Sequence, residues 1–140
     1  MITDVFESIA KRIEDVTGLR AFPLAQGTVA VPCAVVMPVG ETFINYDSSM
    51  AGQSHDMGVS VFILVSQATV RTGQVLLYPY LDWAGEKSIY QAFSGWSDAS
   101  AGISYAAVGI ARNVGAIAWG AGEGSITYTG AELAMMVGIE

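Results

Sequence analysis

Three segments of this chain carry residue types that could do chemistry, and each lacks the spacing that the chemistry needs. His55-Asp56 holds the only histidine. A hydrolytic triad would add a nucleophile on a sharp strand-to-helix turn, and no Gly-x-Ser-x-Gly elbow is present. A metal site would add further histidines or a tight carboxylate cluster, whereas the acids here are single and scattered. The same scatter leaves no carboxylate pair for general acid–base work. His55 is therefore expected as a solvated side chain near a hairpin arm. Gly85-Glu86-Lys87-Ser88 echoes a phosphate loop, but that loop needs Gly and Lys adjacent, with an earlier glycine upstream. Gly120-Ala121-Gly122-Glu123-Gly124 is followed by Ser125-Ile126-Thr127-Tyr128, a strand pattern. A dinucleotide loop must instead open a helix, and Glu123 would repel a phosphate, so a β-hairpin loop is expected. The chain is read as not an enzyme, with no catalytic residue, cofactor or metal.

Cys33 stands alone in an apolar run, which excludes an intrachain disulfide or a cysteine metal site. It is expected as a small buried hydrophobe. The net charge is −7, and Lys11, Lys87, Arg12, Arg20, Arg71 and Arg112 are dispersed, which argues against a protein that grips nucleic acid. Asp4 and Glu7 stand where a signal peptide would want positive charge. The apolar run broken by Pro32 and Pro38 falls well short of the ~20 residues a membrane helix needs. A soluble protein, intracellular when made and without a membrane partner, is expected.

The elements that carry these residues follow from periodicity. Val5, Phe6, Ile9, Ile13 and Val16 fall on one stripe and Glu7, Lys11, Arg12, Glu14 and Asp15 on the other, which predicts a helix from Thr3 to Val16, stopped by Gly18. Arg20 to Leu24 and Pro32 to Met37 read as short strands around a turn at Gln26 to Thr28. Glu41 to Ser48 and Met57 to Gln67 read as a long hairpin, its second arm rich in β-branched and aromatic residues. Helical spacing predicts a helix from Thr69 to Trp83, with Pro79 kinking it or ending its first part, and a short one from Glu86 to Phe93. Strand patterns resume at Ile103 to Val114, Ala116 to Trp119 and Ser125 to Ile139. Residues 1–140 are thus one α+β domain. It has an antiparallel or mixed β-sheet with a long hairpin, packed against an N-terminal helix and a central pair of helices. Tyr78, Tyr80, Trp83, Tyr90 and Trp96 are expected in the core around those paired helices. Trp119 is left open between core and interface.

The closing stretch, Tyr128 to Ile139, carries a single charge, Glu132, and is apolar or small on both faces. A strand on a solvated sheet should alternate, so this one is expected to be covered by its own fold or by neighbouring copies. Only 14% of the chain is charged, against a usual ~25%. So little polar surface predicts exposed apolar patches, meaning interfaces. A monomer with a ligand cavity or a very compact core is the alternative.

Several phrases, taken together, resemble the tail terminator (tail-completion) proteins of long-tailed bacteriophages and phage-like particles. They are a helix ending in Gly18-Leu19-Arg20, the strand Pro32-Cys33-Ala34-Val35-Val36-Met37-Pro38, and Ile44-Asn45-Tyr46-Asp47 opening the hairpin. Arg71, Leu77 and Tyr80-Leu81-Asp82 follow, then Lys87-Ser88-Ile89-Tyr90-Gln91-Ala92 and the closing Tyr128-x-Gly130-Ala131-Glu132-Leu133. The resemblance implies a structural virion protein that forms a homo-oligomeric ring, commonly a hexamer. Such a ring caps the tail-tube protein, stops its polymerisation and meets the head–tail connector at the neck, while genomic DNA passes through the lumen without specific binding. Interface residues expected on this reading are Phe43, Tyr46, Ser49, Met50, Gln53, His55, Met57, Trp119 and Glu132. A head-closure or connector protein of the neck is the nearest alternative, and a small-molecule-binding α+β domain is the alternative from another class.

Overall fold

Helix α1 (Ile2–Thr17) forms where the apolar stripe predicts it: Val5, Phe6, Ile9, Ala10 and Ile13 are buried, while Glu7, Lys11, Glu14 and Asp15 face solvent. Gly18 follows at φ 73° and its N–H donates to the Glu14 carbonyl at 3.0 Å, the left-handed stop that glycine adopts without a Cβ penalty. The Glu14 side chain then accepts from the Ala21 N–H at 2.9 Å and ties the helix to the first strand. The computed structural model describes residues 2–24, 30–38, 43–46, 55–66, 70–119 and 126–140.

Six strands form one sheet: β1 (Arg20–Phe22), β2 (Cys33–Pro38), β3 (Ile44–Asn45), β4 (His55–Val65), β5 (Ile103–Trp119) and β6 (Ile126–Ile139). Their order is β1-β2-β4-β6-β5, with β3 pairing β4 beside this path. β1 and β2 run parallel and the other pairs antiparallel, so the sheet is mixed. Helices α2 (Val70–Leu81) and α3 (Ile89–Ala92) and a short 3₁₀ turn (Ala99–Ala101) lie between β4 and β5 in the chain. The fold is α+β.

Alternation sorts the side chains. Val59, Val61 and Ile63 of β4 and Ala131, Leu133, Met135 and Val137 of β6 pack with Ile9, Ile13, Leu77, Ile89 and Phe93 from the helices to form the main core. A second, smaller cluster lies on the opposite face, where Cys33, Val35 and Leu64 meet Phe22, Ile117, Trp119 and Tyr128. Trp119 pairs with Ile126, beyond the last β4–β6 pair at Val65 and Thr129. Its ring nevertheless lies 5.4 Å from that of Phe62, so the end of the β5–β6 hairpin bends over this second face. The bend has a local cause. The register slips between Arg112 and Gly115, with Asn113 at φ 55° and Gly115 at φ 143°, a bulge that turns the strand.

Several expectations are corrected. Among the described residues the expected hairpin shows two pairs, Ile44 with Met57 and Asn45 with Asp56, and β4 is held along its length by β2 and β6. The expected helix from Glu86 is confined to Ile89–Ala92, where the Ser88 side chain caps it by accepting from the Gln91 N–H at 3.1 Å. The two strand stretches before the Gly-rich segment are one strand with bulges. Of the aromatic cluster, Tyr80 is buried and Trp96 packs edge-on to Phe93, but Tyr78, Trp83 and Tyr90 are exposed. The turn at Gln26 to Thr28, the expected helix start at Thr69, residues 47–54 of the hairpin and the Gly-rich loop lie outside the described residues.

Gly130 shows how tightly the sheet is built. A Cβ there would strike the Ile63 carbonyl oxygen, which is backbone, and press on Ile117 and Leu64. Gly130→Ala should cost about 1–3 kcal/mol, as overpacking does. Gly109→Ala, whose Cβ would meet only ordinary contact, should stay within about 0.5 kcal/mol of wild type. Urea unfolding of both variants checks this.

Candidate interaction surfaces

β5 is an edge strand, the last on the sheet's path. It is 17 residues long and contains a single charged residue, Arg112. From Ala107 to Val114 every residue except Val108 is exposed. Ile110 is 58% and Val114 50% exposed. An edge strand presents unpaired N–H and C=O groups, and sheets ordinarily blunt such edges with short strands, charge, proline or bulges; β5 is interrupted by three register slips. The opposite edge follows that rule: β1 has three residues, begins with the exposed Arg20 and is followed by Pro23.

Behind β5 lies the one charged side chain of β6. Glu132 is 8% exposed, on the face opposite the helices. Its carboxylate accepts from the Ser60 hydroxyl at 2.6 Å, the Arg112 guanidinium at 2.9 Å and the Asn113 amide at 3.0 Å. Three strands are thus joined through one carboxylate. The Arg112 hydrogen bond does most to hold the Glu132 carboxyl below the ordinary glutamate value, with help from Ser60 and Asn113 and against desolvation by burial. The network also explains the bulge, which aims Arg112 and Asn113 at the same group.

Two further surfaces face outward. On α2, Gly73, Leu77 and Tyr80 turn inward, leaving Val75 (66% exposed), Leu76 and Tyr78 as an apolar outer face, with Trp83 just beyond at 79%. At the start of β4, a cleft of about 470 Å³ is lined by Ile2, Val5, Ile44, Met57 and Ile139, with Tyr46 and His55 at its polar side. The Tyr46 ring meets the His55 ring edge-on at 5.4 Å, and His55 Nδ1 lies 2.9 Å from the Tyr46 carbonyl oxygen.

The residues expected at interfaces divide accordingly. Tyr46 is exposed and His55 half-buried beside it, and Phe43 stacks on Phe6 at 6.0 Å, so these three gather at the cleft end. Met57 is instead 3% exposed within the main core, because its place in β4 puts it on the helix-covered face. Glu132 is likewise enclosed, held by the partners just named. Trp119 is half-buried against Phe62. Ser49, Met50 and Gln53 lie outside the described residues. The β5 edge and the α2 face were not singled out from sequence, although the run of Ala, Gly and Ile residues with one charge in β5 was the available signal.

Among the described residues no three His, Cys, Asp or Glu side chains group to hold a metal ion, and no helix is long and apolar enough to cross a membrane. Burial pushes the Cys33 thiol up to about 11, leaving it protonated and unreactive near neutral pH. No protein-family model matches the chain, and no curated protein matches it in sequence.

Because the folded-state value of Glu132 is depressed, its contribution to stability is present above the ordinary value of 4.5 and is lost as pH falls through the lowered one. Glu132→Gln should cost about 1–3 kcal/mol at neutral pH by leaving Arg112 without its anion. It should also make the acid-side loss of stability shallower than in wild type. Denaturant titrations across the acid range would show both, and parallel wild-type and variant curves would refute the assignment.

Proposed function

We propose that the chain is a structural subunit that works by assembling, and that its assembly is the ring of a phage tail terminator. The observation that carries assembly is the apolar surface left uncovered on two unlike sides, the outer face of α2 and the cleft end of β4. A closed ring needs two different patches on each copy. These two meet that need: Tyr78 lies beside Val114, Gly115 and Thr129, next to the Val65 end of β4, whereas the cleft is at the His55 end. β4 has 11 residues and so spans about 35 Å at the usual rise. The ring contact is assigned to the α2 face of one copy seated on the cleft end of the next.

The terminator role within that class rests on the sequence phrases from Gly18-Leu19-Arg20 to Tyr128-x-Gly130-Ala131-Glu132-Leu133. On this reading the partners are further copies, the tail-tube protein and the head–tail connector. The ring sits in the virion at the neck, is made in the host cytoplasm, and lets DNA through a lumen it does not grip. The cleft supports one second reading, a small-molecule-binding domain, because its apolar lining and paired Tyr46 and His55 have the make-up of a ligand pocket.

Electron microscopy and mass measurement of the protein, alone and with its neighbouring tail-tube protein, separate the readings. Rings, or caps that stop tube growth, are expected. Tyr78→Glu should abolish them while leaving the fold intact, since the side chain is half exposed. A ring found at the portal side and indifferent to tubes would indicate the connector. A monomer whose melting temperature rises with small apolar ligands would indicate the binding domain.

A further inference from the structure

We infer that the end of the β5–β6 hairpin is a strap, which swings on the Gly115–Gly130 pair and opens the second apolar cluster to solvent while the helix-covered core stays folded. The ladders draw the boundary of the strap. β4 and β6 pair no further than Val65 and Thr129, whereas β5 and β6 continue through Ile117 with Tyr128, Ala118 with Thr127 and Trp119 with Ile126. Those six residues lie beyond the β4 ladder. Where they leave it, Gly115 stands opposite Gly130, so neither strand carries a side chain at the bend. Gly115 has φ 143° and open space where a Cβ would stand, a conformation that glycine adopts readily and other residues do not.

The strap closes the second cluster. Cys33, Val35 and Leu64 are fully buried, and the side chains packed against them include Ile117, Trp119 and Tyr128 of the strap, with none from a helix among the described residues. Three strap side chains on a small cluster give a weak closing force beside that of the main core. Segments held by few apolar contacts open at less cost than global unfolding. Glu132 sets the closed position. It accepts from Arg112 at 2.9 Å and Asn113 at 3.0 Å on the strand that bends, and from Ser60 at 2.6 Å on β4. Asn113, at φ 55°, stands two residues before Gly115, and Glu132 two residues after Gly130. The carboxylate thus fixes the bulge that aims the strap at the cluster. This inference uses neither the outer face of α2 nor the cleft and does not rest on the ring reading.

Cys33 is the only cysteine and its labelling reports the opening. The wild type is compared with the double variant Cys33→Ala, Ala34→Cys, whose single thiol stands on the same strand but in the main core. Both are labelled with a small aromatic disulfide in native buffer and in low urea, each rate normalised to that of the unfolded chain. Cys33 should label at least about tenfold faster than position 34. Its rate should barely rise with urea, because local opening exposes little surface. Glu132→Gln should speed Cys33 about tenfold beyond any change at position 34. Trp119→Ala, which strips the cover without touching the carboxylate, should do the same and serves if the first variant does not fold. A Cys33 rate no faster than that at position 34, or as steep in urea as global unfolding, would mean that the cluster opens only with the whole chain and would overturn the inference. Substitutions that change both positions equally would overturn it too.

Discussion

The pairing of β4 with β6 is the constraint on which the rest of this structure depends. His55 to Val65 lie opposite Ile139 to Thr129 without a slip, and both strands give alternate side chains to the helix-covered core. A shift of one residue would exchange the two faces. Ala131, Leu133, Met135 and Val137 would leave the core, and Glu132 would enter it among Ile9, Ile13 and Leu77. The register is therefore fixed by the cost of burying a carboxylate among hydrocarbons, and the carboxylate in its allowed place fixes β5 through Arg112 and Asn113. One acidic residue thus opposes register slip and holds the third strand.

The bulges of β5 have consequences along the whole edge. Before Val108, Ala106 and Val108 lie opposite the core-facing Val137 and Met135. The slip at Gly109 changes the alternation, so that Ile110 stands opposite Ala134 and faces away from the helices. The second slip, at Asn113 and Val114, folds the hairpin end over Cys33, Val35 and Leu64. Covering that second cluster turns the strand end away from the sheet edge, while Ile110 and Ala111, between the slips, stay exposed. The exposed stretch of β5 and the half-buried Trp119 are two results of one deformation.

Much of this was legible in the sequence, for reasons that differ by element. α1 carries a clean 3.6-residue stripe and a glycine stop, and both survive within a residue or two. The last strand announced itself by being apolar on both faces, and most of it is indeed covered by the chain's own fold. What periodicity could not reveal was partnership. The parallel pairing of β1 with β2, and the placing of β2 and β6 on either side of β4, depend on contacts distant in sequence. Adjacent strand patterns around residues 41–67 suggest a hairpin by nearness alone, and among the described residues two pairs of it form. The aromatics failed for another reason. Tyr78, Trp83 and Tyr90 are as apolar as core residues, but α2 turns Leu77 and Tyr80 inward in place of Tyr78, Trp83 lies beyond its end, and α3 buries Ile89 and Ala92 in place of Tyr90.

A chain with six basic residues and thirteen acidic ones meets repulsion whenever copies approach, and its contact surfaces must allow for that. Ion pairs across an interface are not a general solution, because there are too few cations to match the acids. Main-chain hydrogen bonding and apolar burial need no cations. In the proposed assembly the outer face of α2 offers apolar burial, while Asp4, Glu7, Glu14 and Asp15 sit on the exposed face of α1. On the assembly proposed above, the scarcity of cations leaves apolar burial, rather than ion pairs, to hold copies together.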